Sequence, residues 1–430
     1  MSVPPYLHFT QIGDPVLRQV AEEVPVERIG TVEIDQIVER MVKVLRHYDC
    51  VGVAAPQVGI PLRIIVMEFR EGKQEQFKPE IYAARKMSTL PLTVFINPEL
   101  EISSSALNKH PEGCMSVRGY SAEVERYDKV RIRGIGKLGT PAELELEGWN
   151  ARIAQHEMDH LNGMIYVDRM DVSTFNCLSW QQINAAEGRS AIWFHKQPAN
   201  LYKSIIGTRR SLSTSLPAGQ SFRKWYQQLW TTERTNLPPY SHFTQIGDPV
   251  LRQQAAAVPV ELIESPEIEA IVEQMVKVLR KYNCVGIAAP QIGVSLRIIA
   301  MEFKKSLQKE MPEAVYQSRQ MSELPLTVLI NPVLTVTNYA KLKHPEGCMS
   351  VRGFSADVER FEGVKLSGLD TSSKQKDHEF SGWNARIAQH EMDHLDGKLY
   401  TDQMDRSTFS CTCWEAVNTK SGRVEIPFYK

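Results

Sequence analysis

The chain has 430 residues, of which 42% are hydrophobic and 23% charged, with a formal net charge of −1. That length exceeds one ordinary core and suits two domains of about 200 residues. The composition excludes disordered and fibrous classes, and the balanced charge gives no reason to expect nucleic acid or anionic membrane as a partner. Seven sparse cysteines form no disulfide framework and point to a reducing compartment. No apolar run approaches the roughly 18 residues of a membrane span.

The start, Met1-Ser2-Val3-Pro4-Pro5, leads almost directly into sequence that reads as folded. It has neither the apolar stretch of a signal peptide nor the basic helix of a transit peptide. Asp14-Pro15 reads as an N-cap with Pro at the first helical position, opening a short helix through Val16-Leu17-Arg18. Thr31 to His47 follows a helical period, with Ile34, Ile37, Val38, Met41, Val44 and Leu45 on one side. Leu62 to Phe69 and Leu92 to Ile96 read as strands. Ala122 to Tyr127, Val130 to Ile135 and Ala142 to Leu146 alternate as half-buried strands do. Trp149 to Leu161 is again helical, with Gly163 placed to end it. The expected class is α+β, with antiparallel or mixed sheets around that last helix.

The whole pattern then recurs. His8 to Gln19, Lys109 to Gly119 and Gly148 to Leu161 reappear letter for letter as His242 to Gln253, Lys343 to Gly353 and Gly382 to Leu395, each at an offset of 234. A period this long marks duplicated domains, expected at 4–196 and 238–430. The intervening 197–237 has no counterpart. From Leu201 to Thr232 it carries five basic residues (Lys203, Arg209, Arg210, Arg223, Lys224) and no acidic one. It reads as a linker, or as a mitochondrial presequence stranded between two joined genes.

The helix Trp149 to Leu161 carries His156-Glu157-Met158-Asp159-His160, and its second copy is His390 to His394. A spacing of four turns a helix by about 400°, so both imidazoles leave one face, a turn apart. That suits two ligands on one divalent metal, with Glu157 beside them and able to reach a metal-bound water. A third ligand is needed. Tyr166 and Tyr400 stand where one class of zinc proteases has its third His, and Glu187 is matched by Ser421, so neither supplies it in both copies. Asp168 and Asp171 recur as Asp402 and Asp405 and stay open as candidates. The best candidate lies upstream, at Cys114 in His110 to Ser116 and at Cys348 in His344 to Ser350. A thiolate with two imidazoles binds a borderline or soft divalent ion and leaves a fourth position for water. A small buried core residue is the other reading of such a cysteine, and Cys50, Cys177, Cys284 and Cys411 are read that way. Cys413, opposite Ser179, has no partner in the first copy.

With these residues assembled, the chain resembles the peptide deformylase family, in its animal mitochondrial form. Three motifs carry the resemblance in each copy: Gly52 to Gln57 and Gly286 to Gln291, Glu112 to Ser116 and Glu346 to Ser350, Gln155 to His160 and Gln389 to His394. The chain departs from the family where Cys50 and Cys284 replace the opening Gly, where Met115 and Met349 follow the metal Cys, and where Glu125 and Glu359 replace a Pro before Arg126 and Arg360. The resemblance implies a metal held by Cys114, His156 and His160, and in the second copy by Cys348, His390 and His394. It implies Glu157 and Glu391 as the base, and Gln57 and Gln291 as oxyanion donors helped by the backbone N–H of Met115 or Met349. Gly52 and Gly286 let the chain pass close to substrate, or serve a tight turn. The ligand set suggests Zn2+, and the resemblance makes Fe2+ at least as strong a candidate. The implied substrate is N-formylmethionine on nascent peptides, met at the ribosome exit. The resemblance and the basic segment favour mitochondria, whereas the bare start favours the cytosol. Two rivals stand beside this reading: a peptidase cutting internal bonds, which shares HExxH but takes a third His or Glu, and a catalytically silent duplicated scaffold.

Overall fold

The computed structural model describes residues 3–195, 237–308 and 312–430. The expected linker, apart from its last residue, lies outside the described residues, and so does the basic stretch within it. In the first repeat Asp14 accepts a hydrogen bond from Val16 N as a cap should, and the short helix it opens is one 3-10 turn, Pro15–Leu17, with Arg18 as its C-cap. Helix α1 (Val32–Tyr48) buries the six apolar residues expected on one face and ends where Asp49 turns left-handed at φ 57°.

The central sheet is antiparallel, in the order β1 (Gly52–Ala54), β2 (Ile64–Phe69), β3 (Leu90–Ile102), β6 (Lys129–Ile135), β7 (Pro141–Glu147). Every residue of β2 is buried. Ile64 and Val66 pack with Val38, Met41 and Leu45 of α1, while Ile65 and Met67 pack with Ala151, Ala154 and Met158 of the helix on the other side. A strand covered on both faces has no polar alternation, which is why it reads as a continuous apolar run. Truncating a side chain as central as Met41 or Ile65 to Ala costs about 2–5 kcal/mol.

Helix α2 (Pro79–Ala84) follows β2, and β4 (Leu107–Cys114) pairs with β5 (Val117–Tyr127) as an antiparallel ladder. Neither α2 nor β4 was expected. The last turn of the hairpin is irregular, with a register shift between Gly113 and Cys114 that leaves Cys114 opposite Val117. Helix α3 (Gly148–Leu161) starts one residue earlier than expected and is buried along nearly its whole length; beyond it Gly163 takes φ +70°.

The second repeat builds the same sheet from Gly286–Ala288, Ile298–Phe303, Leu324–Gly347, Phe354–Leu369 and Gln375–Ser381, with helices Pro266–Tyr282 and Gly382–Leu395. Here Leu324–Gly347 runs unbroken through positions that divide into β3 and β4 in the first repeat, with register shifts between Val336 and Lys341.

The compact units do not match the expected boundaries at 196 and 238. Of the described residues, unit one comprises 3–176, 192–195 and Phe409–Glu425; unit two comprises Cys177–Ala191, 237–308, 312–408 and Ile426–Lys430. Each unit therefore takes one short arm from the other repeat.

Candidate metal centre

Helix α3 places His156 and His160 one turn apart, ring centroids 5.1 Å from each other, and His160 is fully buried. The end of β4 brings Cys114 Sγ to 3.3 Å from His160 Nε2. One donor atom from each of Cys114, His156 and His160 lies within 4.8 Å of the other two. Ligands roughly 2.0–2.3 Å from one ion in a tetrahedral set sit roughly 3.3–3.7 Å apart, so the cluster has the size of a single ion's shell. Cys348, His390 and His394 repeat the arrangement, with Sγ 3.3 Å from His394 Nε2. Among the described residues these two clusters are the ones that could hold a metal.

The other aspartates weighed as ligands are engaged elsewhere. Asp168 takes Arg18 Nη1 at 2.6 Å and caps Ile165 N, and Asp171 takes Lys109 Nζ at 2.5 Å. Cys177 and Cys411 are buried and Cys50 is partly so, as small core thiols should be; burial pushes Cys177 up to about 11.

A buried ion network orients the first imidazole. Glu112 Oε2 lies 3.0 Å from His156 Nδ1, and the same carboxylate accepts from Arg126 Nε at 2.9 Å and Arg152 Nη1 at 2.6 Å. Held at Nδ1, the ring turns Nε2 toward Cys114. Burial alone would raise the Glu112 carboxyl, but His156 and Arg126 hold it far below the usual carboxylate range. Burial likewise opposes charge on His156, yet Cys114 and Glu112 raise its pKa well above normal; His160 is pushed well down by burial. Arg126 also donates to Asp159 at 2.6 Å, and Arg169 to Asp159 at 2.9 Å. In the second repeat Gln403 takes the place of Arg169, donating to Asp393 at 3.1 Å.

Sequence reasoning assigns no role to Glu112, Arg126, Arg152 or Asp159. One signal is there for Arg152, which precedes His156 by one turn and His160 by two, on the same stripe of α3.

Glu157 is 3% exposed, its Oε2 has no hydrogen-bond partner, and burial lifts its pKa to about 7. Glu391 matches it in each respect. Gly52 sits in strand β1, not in a tight turn, and a Cβ there would stand 2.1 Å from Glu157 Oε1. At Gly286 the corresponding distance, to Glu391 Oε1, is 2.2 Å.

Gln57 does two things. Its Oε1 accepts from Ala54 N at 2.9 Å, fixing the turn, while its Nε2 points to Cys114 Sγ at 3.5 Å and Ser116 Oγ at 3.4 Å. Gln291 does the same beside Cys348. Met115 and Met349, next to the two cysteines, pack partly buried against the core that each sheet shares with α1 or with its counterpart Pro266–Tyr282. A cavity of about 700 Å³ in unit two is bordered by Arg297, Asn331, Asp393 and Gln403 and by none of the three donor residues. It reaches Arg360 and Asp393, at the outer edge of the ion network behind the cluster, and not the donor atoms themselves.

The family model described as polypeptide deformylase matches residues 6–176 and again 240–410, more than half of the chain. The chain belongs to the polypeptide deformylase family. It is 42% identical over 220 residues to the human "Peptide deformylase, mitochondrial", which spans 50% of this chain and 90% of that protein. It is 42% identical to "Peptide deformylase 1A, chloroplastic/mitochondrial" of Arabidopsis thaliana over 41% of this chain and 65% of the relative. A solved peptide deformylase from Synechococcus elongatus is 34% identical at a TM-score of 0.33, covering 40% of this chain and 81% of that one. Deformylases are hydrolases that remove the N-formyl group from nascent peptides with a bound metal, and this chain carries the deformylase domain twice, with one Cys-His-His cluster in each copy. Among the described residues no helix is long and apolar enough to cross a membrane.

Proposed function

We propose that both repeats, the duplicated stretches 4–196 and 238–430, are working deformylases. Cys114, His156 and His160 hold one divalent ion; Cys348, His390 and His394 hold a second. The observation that carries the reading is the meeting of Cys114 Sγ with His160 Nε2 at 3.3 Å, reproduced between Cys348 and His394 in a chain of deformylase sequence. Fe2+ or Zn2+ is the ion, since a thiolate with two imidazoles suits either. When bound there, such an ion supplies a water acidified from near 16 toward ~7 and polarises a carbonyl.

Glu157 and Glu391 accept the attacking water's proton and pass it to the departing amine of the peptide. Burial raises both carboxyls in the metal-free protein and a bound cation draws them back toward the charged form, so a base that starts ionised gains a proton readily once water delivers it. Gln57 Nε2 and the backbone N–H of Met115, with Gln291 and Met349 in the second unit, stabilise charge developing on the formyl oxygen. Gly52 and Gly286 keep the wall beside the base free of side-chain atoms. The formyl carbon on an N-terminal methionine is attacked, and formate leaves. We assign the work to nascent chains emerging from ribosomes in mitochondria.

The test is formate release from a formyl-Met peptide by the full chain, purified anaerobically and assayed for metal. The double variant Glu157→Ala, Glu391→Ala retains metal and loses on the order of 10²- to 10⁴-fold in kcat. Near-normal turnover in that variant removes the base; cleavage of internal peptide bonds without formate removes the substrate.

A further inference from the structure

In unit one, a strap of the chain from His8 to Asp14 braces both sides of the Cys114 cluster. Thr10 N donates to Gln57 O at 3.0 Å, Gln11 Nε2 to Met115 O at 2.9 Å, and Ile12 N to Ser116 O at 2.8 Å. The oxyanion residues Gln57 and Met115 are thus tied to one short segment. That segment is in turn held by the arm Phe409–Glu425, which the sequence assigns to the second repeat.

Asn418 is the polar centre of the grip. Its Nδ2 donates to Asp14 Oδ2 at 2.7 Å, its Oδ1 faces His8 Nε2 at 3.4 Å, and Thr10 Oγ1 donates to the same Asp14 oxygen at 2.7 Å. Cys411 N donates to Ile12 O at 2.7 Å. Gly13, at φ +112°, leaves room for the arm, because a Cβ there would stand 2.5 Å from Trp414 Cδ1.

Unit two repeats the design with the roles exchanged. Asn184 of the first repeat donates to Asp248 Oδ2 at 2.8 Å and Thr244 Oγ1 at 2.9 Å, and its Oδ1 faces His242 Nε2 at 3.2 Å. Thr244 N donates to Gln291 O at 2.9 Å, Gln245 Nε2 to Met349 O at 2.8 Å, and Ile246 N to Ser350 O at 2.8 Å.

We infer that each catalytic centre is positioned by the arm of the opposite repeat: Asn418 is a positioning residue for the Cys114 centre, and Asn184 for the Cys348 centre. The inference rests on the deformylase reading. Losing the amide leaves a buried carboxylate and its strap one donor short. The strap then shifts, carrying Gln57 or Gln291 away from the reacting carbonyl.

The experiment uses the full chain with one centre silenced at its base, so that turnover reports the other. In the Glu391→Ala chain, where the Cys114 centre is read, Asn418→Ala lowers kcat about 10- to 100-fold, more than it lowers KM or metal content. In the Glu157→Ala chain, Asn184→Ala has that effect and Asn418→Ala has the smaller one. Asn418→Asp sets a second carboxylate against Asp14. Its turnover relative to the parent rises as pH is lowered and one carboxyl regains a proton to donate, a response that mere unfolding does not produce. Equal losses at both centres, or a larger loss at the variant's own repeat, overturn the inference. Failure of both parent chains to release formate defeats the deformylase reading instead.

Discussion

Gly52 leaves empty the space that Glu157 occupies: a Cβ on the glycine would stand 2.1 Å from the carboxylate Oε1. The contact is between side chain and missing side chain, in a strand whose backbone is extended, so steric room and not backbone freedom demands glycine. Gly52→Ala must swing the Glu157 carboxylate aside. We expect kcat at that centre to fall about 10²-fold with the metal retained, read as formate release in a chain whose second centre is silenced by Glu391→Ala. Unchanged turnover would show that the carboxylate's place is immaterial.

Burial of Glu157 also has a cost that depends on pH. Its folded pKa of about 7 lies above the value of about 4.3 for an unfolded chain, so the neutral form is the one the fold favours. The stability it contributes is complete below the unfolded value and is lost as pH rises to about 7. In metal-free protein, Glu157→Gln therefore gains on the parent through that window, by a few kcal/mol at most. Adding metal closes the gap, because a nearby cation favours the charged carboxylate. Thermal melts from pH 4.5 to 8, with and without metal, check both halves of the statement.

Glu112 has the opposite sign. His156 and Arg126 hold its carboxyl down against burial, so its contribution is present above the unfolded value and disappears as pH falls toward the folded one. Glu112→Gln removes that contribution and loosens the ring it orients. We expect a loss of about 3–5 kcal/mol near neutral pH that shrinks below about pH 4, and metal affinity reduced about 10- to 100-fold. Chelator competition and urea melts measure the two effects. A variant that binds metal as tightly as the parent would falsify the orienting role.

Cys114→Ala and Cys348→Ala, made one at a time, each remove one ligand from one cluster. Each variant should bind one metal ion per chain instead of two and keep a substantial part of the parent's turnover. Abolition of all activity by either change would mean that a single centre does the work.

Much of this was legible in the sequence. The face of α1 is set by the spacing of Ile34, Ile37, Val38, Met41, Val44 and Leu45, and the shared face of His156 and His160 by a gap of four. Strand β4 was hidden because His110-Pro111-Glu112-Gly113 has none of the residues that favour strands, and Gly52-Val53-Ala54 is too short to show a period. Glu112 was visible as a letter in a motif, but its partners Arg126 and Arg152 come from separate elements, and only the fold brings them together. The exchange of arms had no signal at all. Asn184 and Asn418 are equivalent residues of two matching copies, and so are Asp14 and Asp248, so the sequence fits either pairing.

A duplicated gene ordinarily leaves a spare, free to decay or be discarded. Here the tail of each copy is bonded into its twin, through Asn418 to Asp14 and through Asn184 to Asp248. If those amides position the opposite centres as inferred, deleting either half removes a part of the survivor, and selection on one copy also preserves the other.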